Sequence, residues 1–401
     1  MTKPRLKTET LLAHLGRAPK GSYRTVNPPV YHASTVLFET VGALEDAAER
    51  RLEKGWSNYG RAGSPTTFAL EDAVASLEGG YGATAVPSGL AAIAGAMLSF
   101  VMAGDHIMVS DAVYAPTRWF CDTLPQRLGV EVTYYDPEVG ASIGSLLRPN
   151  TRLVFLESPG SLTFEVQDVS AIAAAAKANE TLVLLDNTWA TPLYFRPFEH
   201  GVDLSIHAAT KYIVGHADAM LGIIVSAEPH YRQVRRMTQL LGYAVGPDDA
   251  YLALRGLRTM AVRLARHQET ALALARWLRQ RPEVSEVRFP SLPGCPGHDL
   301  WRRDFSGASG LFGVVLQNYS KDAVAAMLDG LELFGMGYSW GGYESLILPV
   351  EPGKVRTATA WAAPGPVLRV HAGLEDPADL IADLEAGFER LRHAAPHAAG
   401  G

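Results

Sequence analysis

The sequence predicts an α/β protein: an N-terminal arm, a large domain on a mostly parallel sheet, and a smaller C-terminal α+β domain. Three observations carry that expectation. From Pro65 onward short apolar runs alternate with helical stretches. Two of those runs, LVFLE at 153–157 and TLVLLD at 181–186, are apolar throughout and end on a carboxylate. Near Gly256 the pattern changes to a long amphipathic helix followed by Pro- and Gly-rich loops. Strands alternating with helices imply βαβ units, and a continuously apolar strand is one covered on both faces, as parallel strands are. At 401 residues the chain is also longer than one domain of common size.

The elements follow in order. Between Lys3 and Trp56 strand-like runs are few, and Asn27, Pro28, Pro29 and Gly42 punctuate the chain. This reads as an extended arm, residues 1–60, with one or two short helices that pack on something. Strands are expected at 106–110, 131–135, 152–157, 181–186, 202–207 and 221–226, within a large domain spanning 61–256. Ligands of open α/β sheets bind at the carboxyl ends of strands, so Asp186 and the loop after His207 stand where chemistry is normally done. Residues 257–401 form the second domain. Its first helix carries Leu264, Ala271, Leu274 and Leu278 and is stopped by Pro282. Strands follow at 311–317 and 367–371, with a Gly-rich stretch around Gly341-Gly342 between them. The last helix has Asp376 as N-cap, Pro377 in its first turn, and Leu380, Ile381, Leu384, Phe388 and Leu391 on one face. The tail after Leu391 is expected to fray.

Composition excludes several classes. With 47% hydrophobic and 19% charged residues the chain lacks the signature of disorder. A net charge of −6 with scattered Lys and Arg offers no basic stripe for nucleic acid. No apolar stretch spans a bilayer. The segment from Met1 to Leu15 contains Glu9 and His14 and lacks a signal peptide's apolar run, so a cytoplasmic location is expected. Cys121 and Cys295 are far apart and in no C-x-x-C pair, which argues against redox or metal roles. His207 and His216 fit no zinc spacing. The run GYSWG at 337–341 matches G-x-S-x-G in spacing but lies in a Gly-rich stretch and not between a strand and a helix, and no G-x-G-x-x-G turn follows the first strand, so serine hydrolase and dehydrogenase readings lose support.

The chemistry-bearing residues cluster in LLDNTWA and SIHAATKYIVGH, which put Lys211 25 residues after Asp186. Burial lowers the pKa of a lysine toward a nucleophilic amine, and such amines form imines. An aspartate on a neighbouring strand end suits a protonated pyridine nitrogen and makes that ring a better electron sink. Singly, each reads as an exposed polar residue; together they favour pyridoxal 5′-phosphate held by Lys211. A phosphate site has two candidates. One is the start of an Ala-rich helix at Ser88-Gly89-Leu90, where unbonded N–H groups and the helix dipole suit an anion. The other is NYGRAG, where Tyr59 offers a hydroxyl and Arg61 a bidentate fork. Thr210 adds a hydroxyl beside the lysine. Tyr114 can stack on a planar ring or simply pack. Arg369 sits inside an apolar strand, an expensive position unless a carboxylate pairs with it, from an amino-acid substrate or from the protein.

These motifs, with FLESPGS, ATKYIVGHADAM, LPGCPGH, RRDFSGASGLF, YSWGGYESL and GLEDPADLIADLEAGF, resemble the Cys/Met-metabolism family of fold-type I pyridoxal-phosphate enzymes, and within it the bacterial β-lyases. The likeness covers nearly the whole chain. It implies that Lys211 carries the cofactor and removes the substrate α-proton, that Asp186 pairs with the pyridine nitrogen, and that Tyr114 stacks on the ring. It further implies that Gly89, Leu90 and Thr210 hold the phosphate together with Tyr59 and Arg61 from a neighbouring subunit of a homotetramer. Arg369, helped by Ser339 and Trp340, would bind the substrate α-carboxylate. The implied reaction is β-elimination from L-cystathionine to homocysteine, pyruvate and ammonia, with Lys211 or Tyr114 protonating the leaving group. Tyr338 before Ser339, and Ala115-Pro116 after Tyr114, look like the β-lyases. Ala208 stands where many relatives have a phosphate-binding serine, and Gln239 where some β-lyases have a tyrosine. The alternatives are a broader cysteine or cystine β-lyase, γ-elimination or γ-replacement chemistry, and a non-catalytic regulator, for which a DNA-binding module is missing.

Overall fold

The apolar runs between 106 and 226 become the centre of a seven-stranded sheet in the computed structural model, whose described residues are 6–17 and 24–394. The strands are β1 (Gly82–Val86), β2 (His106–Ser110), β3 (Glu131–Tyr135), β4 (Thr151–Glu157), β5 (Leu182–Asp186), β6 (Leu204–His207) and β7 (Gly222–Ser226), in the spatial order β1-β7-β6-β5-β4-β2-β3. β2 to β6 run parallel to one another and β7 alone is reversed, antiparallel to β1 and β6. The strand order turns back at β2, which has β3 on one side and β4 on the other. Connections leaving such a point diverge and open a crevice at the carboxyl ends of the strands. Glu157 and Asp186 are register partners there, side by side on neighbouring strands.

A second sheet, antiparallel throughout, contains β8 (Val284–Arg288), β9 (Leu311–Leu316), β10 (Leu346–Val350) and β11 (Val367–His371) in the order β10-β11-β9-β8. The helix Pro377–Ala394 buries Leu380, Leu384, Phe388 and Leu391. Asp376 opens it as expected, its Oδ1 accepting from Ala378 N–H at 2.8 Å. One apolar cluster runs from Val154 and Leu185 of the large sheet through Leu274 and Leu278 to Phe312 and Leu368 of the small one and Phe388 of the last helix. The sheets therefore share a core.

Several expectations need correction. β1 was not anticipated, because GATAV is short and built of small residues that carry little strand signal. β8 and β10 were missed as well; each lies at an edge of the small sheet, and Pro349 inside β10 is tolerated only at such an edge. The long helix does not begin near Gly256. It runs from Pro247 to Leu278, with Asp248 and Asp249 in its first turn and its end ahead of Pro282, so the boundary expected at 256/257 falls inside one continuous helix. Gly256 looks like a breaker in the sequence, yet it is a packing residue: a Cβ there would stand 2.2 Å from the Ile213 carbonyl oxygen and 2.3 Å from that of Val214. Of the arm, the helices Thr8–His14 and Val41–Glu49 are present. Leu12 is buried beside Leu254 and Leu257, and Arg258 donates to the carbonyls of Leu12 and Leu15. Residues 392–394, expected to fray, are helical. The readings made of residues 1–5, 18–23 and 395–401 lie outside the described residues.

The contact at Gly256 ties the long helix to the turn after Lys211. Gly256→Ala should destabilise the fold by about 1–3 kcal/mol, read as a lowered urea midpoint. Gly42→Ala, with open space around its Cβ, should change the midpoint little. Equal effects would show that Gly256 makes no such close contact.

Candidate active site

Three strand ends and one distant turn supply the groups. β5 ends on Asp186, which is 8% exposed. Its Oδ1 accepts from the N–H of Thr188 at 3.0 Å and from that residue's hydroxyl, while Oδ2 meets no protein donor among the described residues. Burial raises the Asp186 pKa, against the opposing pull of Thr188, His207 and Lys211. β6 ends on His207, and the turn that follows carries Lys211, closed by Lys211 N–H to the Ala208 carbonyl at 3.0 Å and Gly215 N–H to that of Lys211 at 2.7 Å. After β2, Tyr114 stands at the head of the helix Ala115–Arg127. The residue is 44% exposed, and partial burial, then Glu157, raises its pKa.

The distant turn lies between the helix Lys321–Leu328 and β10. There Ser339 Oγ accepts from Lys211 Nζ at 2.6 Å, and the Trp340 ring centroid is 5.1 Å from the same Nζ. Arg369, in the middle of β11, donates through Nη2 to the carbonyl of Ser339 at 2.9 Å and more weakly to that of Gly337 at 3.4 Å. Among the described residues no carboxylate pairs with it. Burial, then the Arg369 charge, pushes the Lys211 pKa down to about 8, with Asp186 opposing. The amine is thereby brought within reach of neutral pH as a base and nucleophile.

The structure also forms a cradle for an anion. Ser88 caps the helix Gly89–Leu98, accepting from Ala91 N–H at 3.1 Å, and Ala92 N–H goes to the Ser88 carbonyl. Gly89 and Leu90 remain as first-turn donors without a protein acceptor among the described residues. A Cβ on Gly89 would meet that of Ala208 at 2.5 Å, and one on Gly222 would meet the Ser88 carbonyl oxygen at 2.1 Å. Side chains would fill the space. Ala208 therefore leaves its share of the cradle to backbone. Thr210 Oγ1 is occupied by the backbone of Leu221, accepting from its N–H at 3.0 Å and donating to its carbonyl at 3.2 Å. A buried carboxyl with one unoccupied oxygen, an amine of lowered pKa and an anion cradle fit the ring nitrogen, carbonyl and phosphate of pyridoxal 5′-phosphate.

Tyr59 and Arg61 stand apart from these groups. The Tyr59 hydroxyl accepts from Ser34 Oγ at 3.4 Å, and Arg61 Nη1 donates to the carbonyl of Gln239 at 2.8 Å. No hydrogen bond among the described residues joins either to Lys211.

Sequence reasoning missed three residues. Glu157 Oε2 accepts from the N–H of Tyr114 at 2.7 Å. The buried Glu78 accepts from Asn187 and Ser205 and lies 3.0 Å from His207 Nε2, which anchors the ends of β5 and β6. His371 brackets the Gly341 turn. The carboxylate closing LVFLE was a visible signal for Glu157. Glu78, at the end of a helix, and His371, inside a strand, had none.

Comparison with known proteins agrees with this geometry. The family model described as Cys/Met metabolism PLP-dependent enzyme matches residues 9–389. A putative cystathionine beta-lyase of Rhizobium johnstonii is 51% identical over 94% of this chain and 95% of its own. The cystathionine beta-lyase of Haemophilus influenzae is 44% identical over 95% of this chain and 98% of its own. Among solved structures, the cystathionine gamma synthase of Xanthomonas oryzae pv. oryzae, in complex with aminoacrylate and cysteine, superposes with a TM-score of 0.87. It is 31% identical and covers 97% of this chain and 99% of its own.

The lowered pKa of Lys211 sets a pH dependence. Only the free base attacks carbonyls and aryl reagents, so arylation of Lys211 in cofactor-free protein, followed by peptide mass spectrometry, should rise with pH through a midpoint of about 8. Arg369→Met removes a neighbouring cation and should move that midpoint upward. An unmoved midpoint would mean that Arg369 does not act on the amine.

Proposed function

The chain belongs to the Cys/Met metabolism PLP-dependent enzymes, and from that membership and the site we infer that it is a carbon–sulfur β-lyase. Its proposed reaction cleaves L-cystathionine to L-homocysteine, pyruvate and ammonia. The observation that carries the reading is the chain of contacts from Arg369 to the carbonyl of Ser339, and from the hydroxyl of Ser339 to Lys211 Nζ. It sets a carboxylate-binding cation and a base of lowered pKa on the same short turn. The names of the relatives, cystathionine beta-lyases at 51% and 44% identity, support the substrate.

Pyridoxal 5′-phosphate, when bound, supplies a carbonyl that takes up amino groups and a ring that draws negative charge from the α-carbon. The protein does the rest. Only Nη2 of Arg369 is engaged, and by carbonyls, so its fork is open to the substrate α-carboxylate, which fixes the reacting bonds in place. Lys211, as free base, takes the α-proton while the Ser339 hydroxyl restrains it. The carboxylate of Asp186 would hold a proton at the ring nitrogen. The cradle at Ser88, Gly89 and Leu90, with Thr210 beside it, receives the phosphate. Tyr114 would cover the ring, and its raised pKa keeps the phenol protonated, so either Tyr114 or the ammonium of Lys211 would deliver a proton to the departing sulfur. Trp340 closes one side of the lysine against water.

The working form is proposed to be a homotetramer in the cytoplasm. Tyr59 and Arg61 make their contacts away from Lys211, as residues serving a neighbouring subunit's phosphate would, and the two cysteines are free thiols, as in a reducing compartment.

A substrate panel with products identified tests the reaction. L-Cystathionine should yield pyruvate and homocysteine with a higher kcat/KM than cystine or cysteine; 2-oxobutyrate as the main product would instead mean γ-elimination. Sharing of the site has its own test. Lys211→Ala and Arg61→Ala variants, each inactive alone, should regain activity when their subunits are mixed and reassociated, because hybrids contain sites with both residues intact. Mixtures that stay inactive would place Arg61 outside the partner's site.

A further inference from the structure

Arg369 and His371 are two residues apart in β11 and so face the same side of the small sheet. Both reach the segment 337–344. Arg369 holds the carbonyls of Gly337 and Ser339. His371, fully buried, accepts at Nε2 from Gly341 N–H at 3.1 Å and has Nδ1 3.0 Å from the Glu344 carbonyl oxygen. A carbonyl can only accept and an amide N–H can only donate, so the partners fix the tautomer: the proton is on Nδ1 and Nε2 is bare. Protonating Nε2 would remove the acceptor of a buried amide. Burial, then the neighbouring His267, Arg369 and Lys211, keeps His371 neutral well below the ordinary histidine range, against the opposing pull of the Glu344 carbonyl.

The segment needs a clamp. Ser339 has φ +79°, a left-handed conformation that is strained for a residue with a side chain. Gly341 follows at φ +85°, and a Cβ on it would lie 3.1 Å from Lys211 Cα and 3.0 Å from Tyr212 N. The turn thus rests directly on the backbone of Lys211, with the Ser339 hydroxyl on that lysine's amine. Arg369 steadies the same turn through Ser339, but in the proposed reaction it must also take the substrate carboxylate. The two contacts of His371 have no second duty.

We propose that His371 is a positioning residue: as a neutral imidazole protonated on Nδ1, it locks the 339–344 turn, so that Ser339 keeps hold of Lys211 Nζ while Arg369 engages a carboxylate. The lock is a property of the fold. Its effect on catalysis rests on the roles proposed above for Lys211 and Arg369.

Two substitutions separate the imidazole's contacts. An asparagine amide nitrogen takes the place of Nδ1, so His371→Asn keeps the Glu344 contact and loses the acceptor for Gly341. A glutamine amide oxygen reaches the place of Nε2, so His371→Gln keeps that acceptor. In the holoenzyme and in cofactor-free protein, amide exchange in the peptide covering 337–344 should be protected in the wild type, faster by tenfold or more in His371→Asn, and near wild type in His371→Gln. In the holoenzyme kcat should fall tenfold or more in His371→Asn with KM changed less, since Arg369 stays on β11, and His371→Gln should recover most of it. Equal exchange in the two variants, or a kcat unchanged in His371→Asn, overturns the proposal. If neither variant folds, the wild type decides: a Gly341 amide exchanging at its unfolded rate overturns the lock, and one protected at least a hundredfold upholds it. Protection with the predicted exchange contrast, in a protein that makes no pyruvate from L-cystathionine, would leave the lock standing and remove the proposed reaction.

Discussion

The hydrogen bond from Lys211 Nζ to Ser339 Oγ spans the two sheets of the molecule, and much of the architecture is what allows it to form. Lys211 follows a strand of the large sheet; Ser339 precedes a strand of the small one. They are brought to 2.6 Å by a core that continues from one sheet into the other and by one helix, Pro247–Leu278, that crosses between them. Gly256 lets that helix lie against the carbonyls just beyond Lys211, and Gly341 lets the serine's turn lie against the lysine itself. Both glycines act through close approach, and each is opposite the same short stretch, 211–214.

Charge separates the site from the scaffold. Elsewhere most buried arginines are matched, Arg118 with Asp111, Arg235 with Glu71 and Arg356 with Glu165, although Arg263 has only the carbonyls of Tyr212 and Gly256 and the hydroxyl of Thr259. A buried ion left alone is costly, so such pairing is the rule. The groups of the site depart from it. Arg369 has only carbonyls, Lys211 a hydroxyl, and Asp186 one unoccupied oxygen. Burial acts on all three in the direction of the uncharged form, lowering Lys211 and Arg369 and raising Asp186. A ligand carrying a carboxylate, a carbonyl and a protonated ring nitrogen would relieve each of these, and that is why the reading as a pyridoxal-phosphate lyase suits this crevice.

The sequence made the strongly patterned parts legible. β2, β3 and β11 match the expected limits, and β4 to β7 differ from them by one or two residues at their starts, because long apolar runs between turns leave little choice. The caps at Ser88 and Asp376 were readable because a side chain that caps does so locally. Contacts made across the fold were not. Nothing near Gly256 tells that it faces the carbonyls of Ile213 and Val214, so it looked like a boundary. His371 looks like one more residue of an apolar strand, and its partners Gly341 and Glu344 lie on a turn with no regular period. β1 was hidden by its alanines and glycine, and β10 by Pro349. Lys211 and Asp186 could be paired by reasoning from burial and strand ends, whereas Ser339 and Trp340 entered only through resemblance, since 128 residues separate Ser339 from the lysine.

The central claim is that Lys211 is the residue to which the cofactor is joined. Borohydride reduction of the protein loaded with pyridoxal 5′-phosphate, followed by digestion and mass spectrometry, tests it most directly. The expected result is a single pyridoxyl-lysine in the peptide containing ATKYIVGH, at Lys211, with loss of the visible absorbance. A pyridoxyl group on another lysine, or a protein that binds the cofactor and carries no label after reduction, would contradict it.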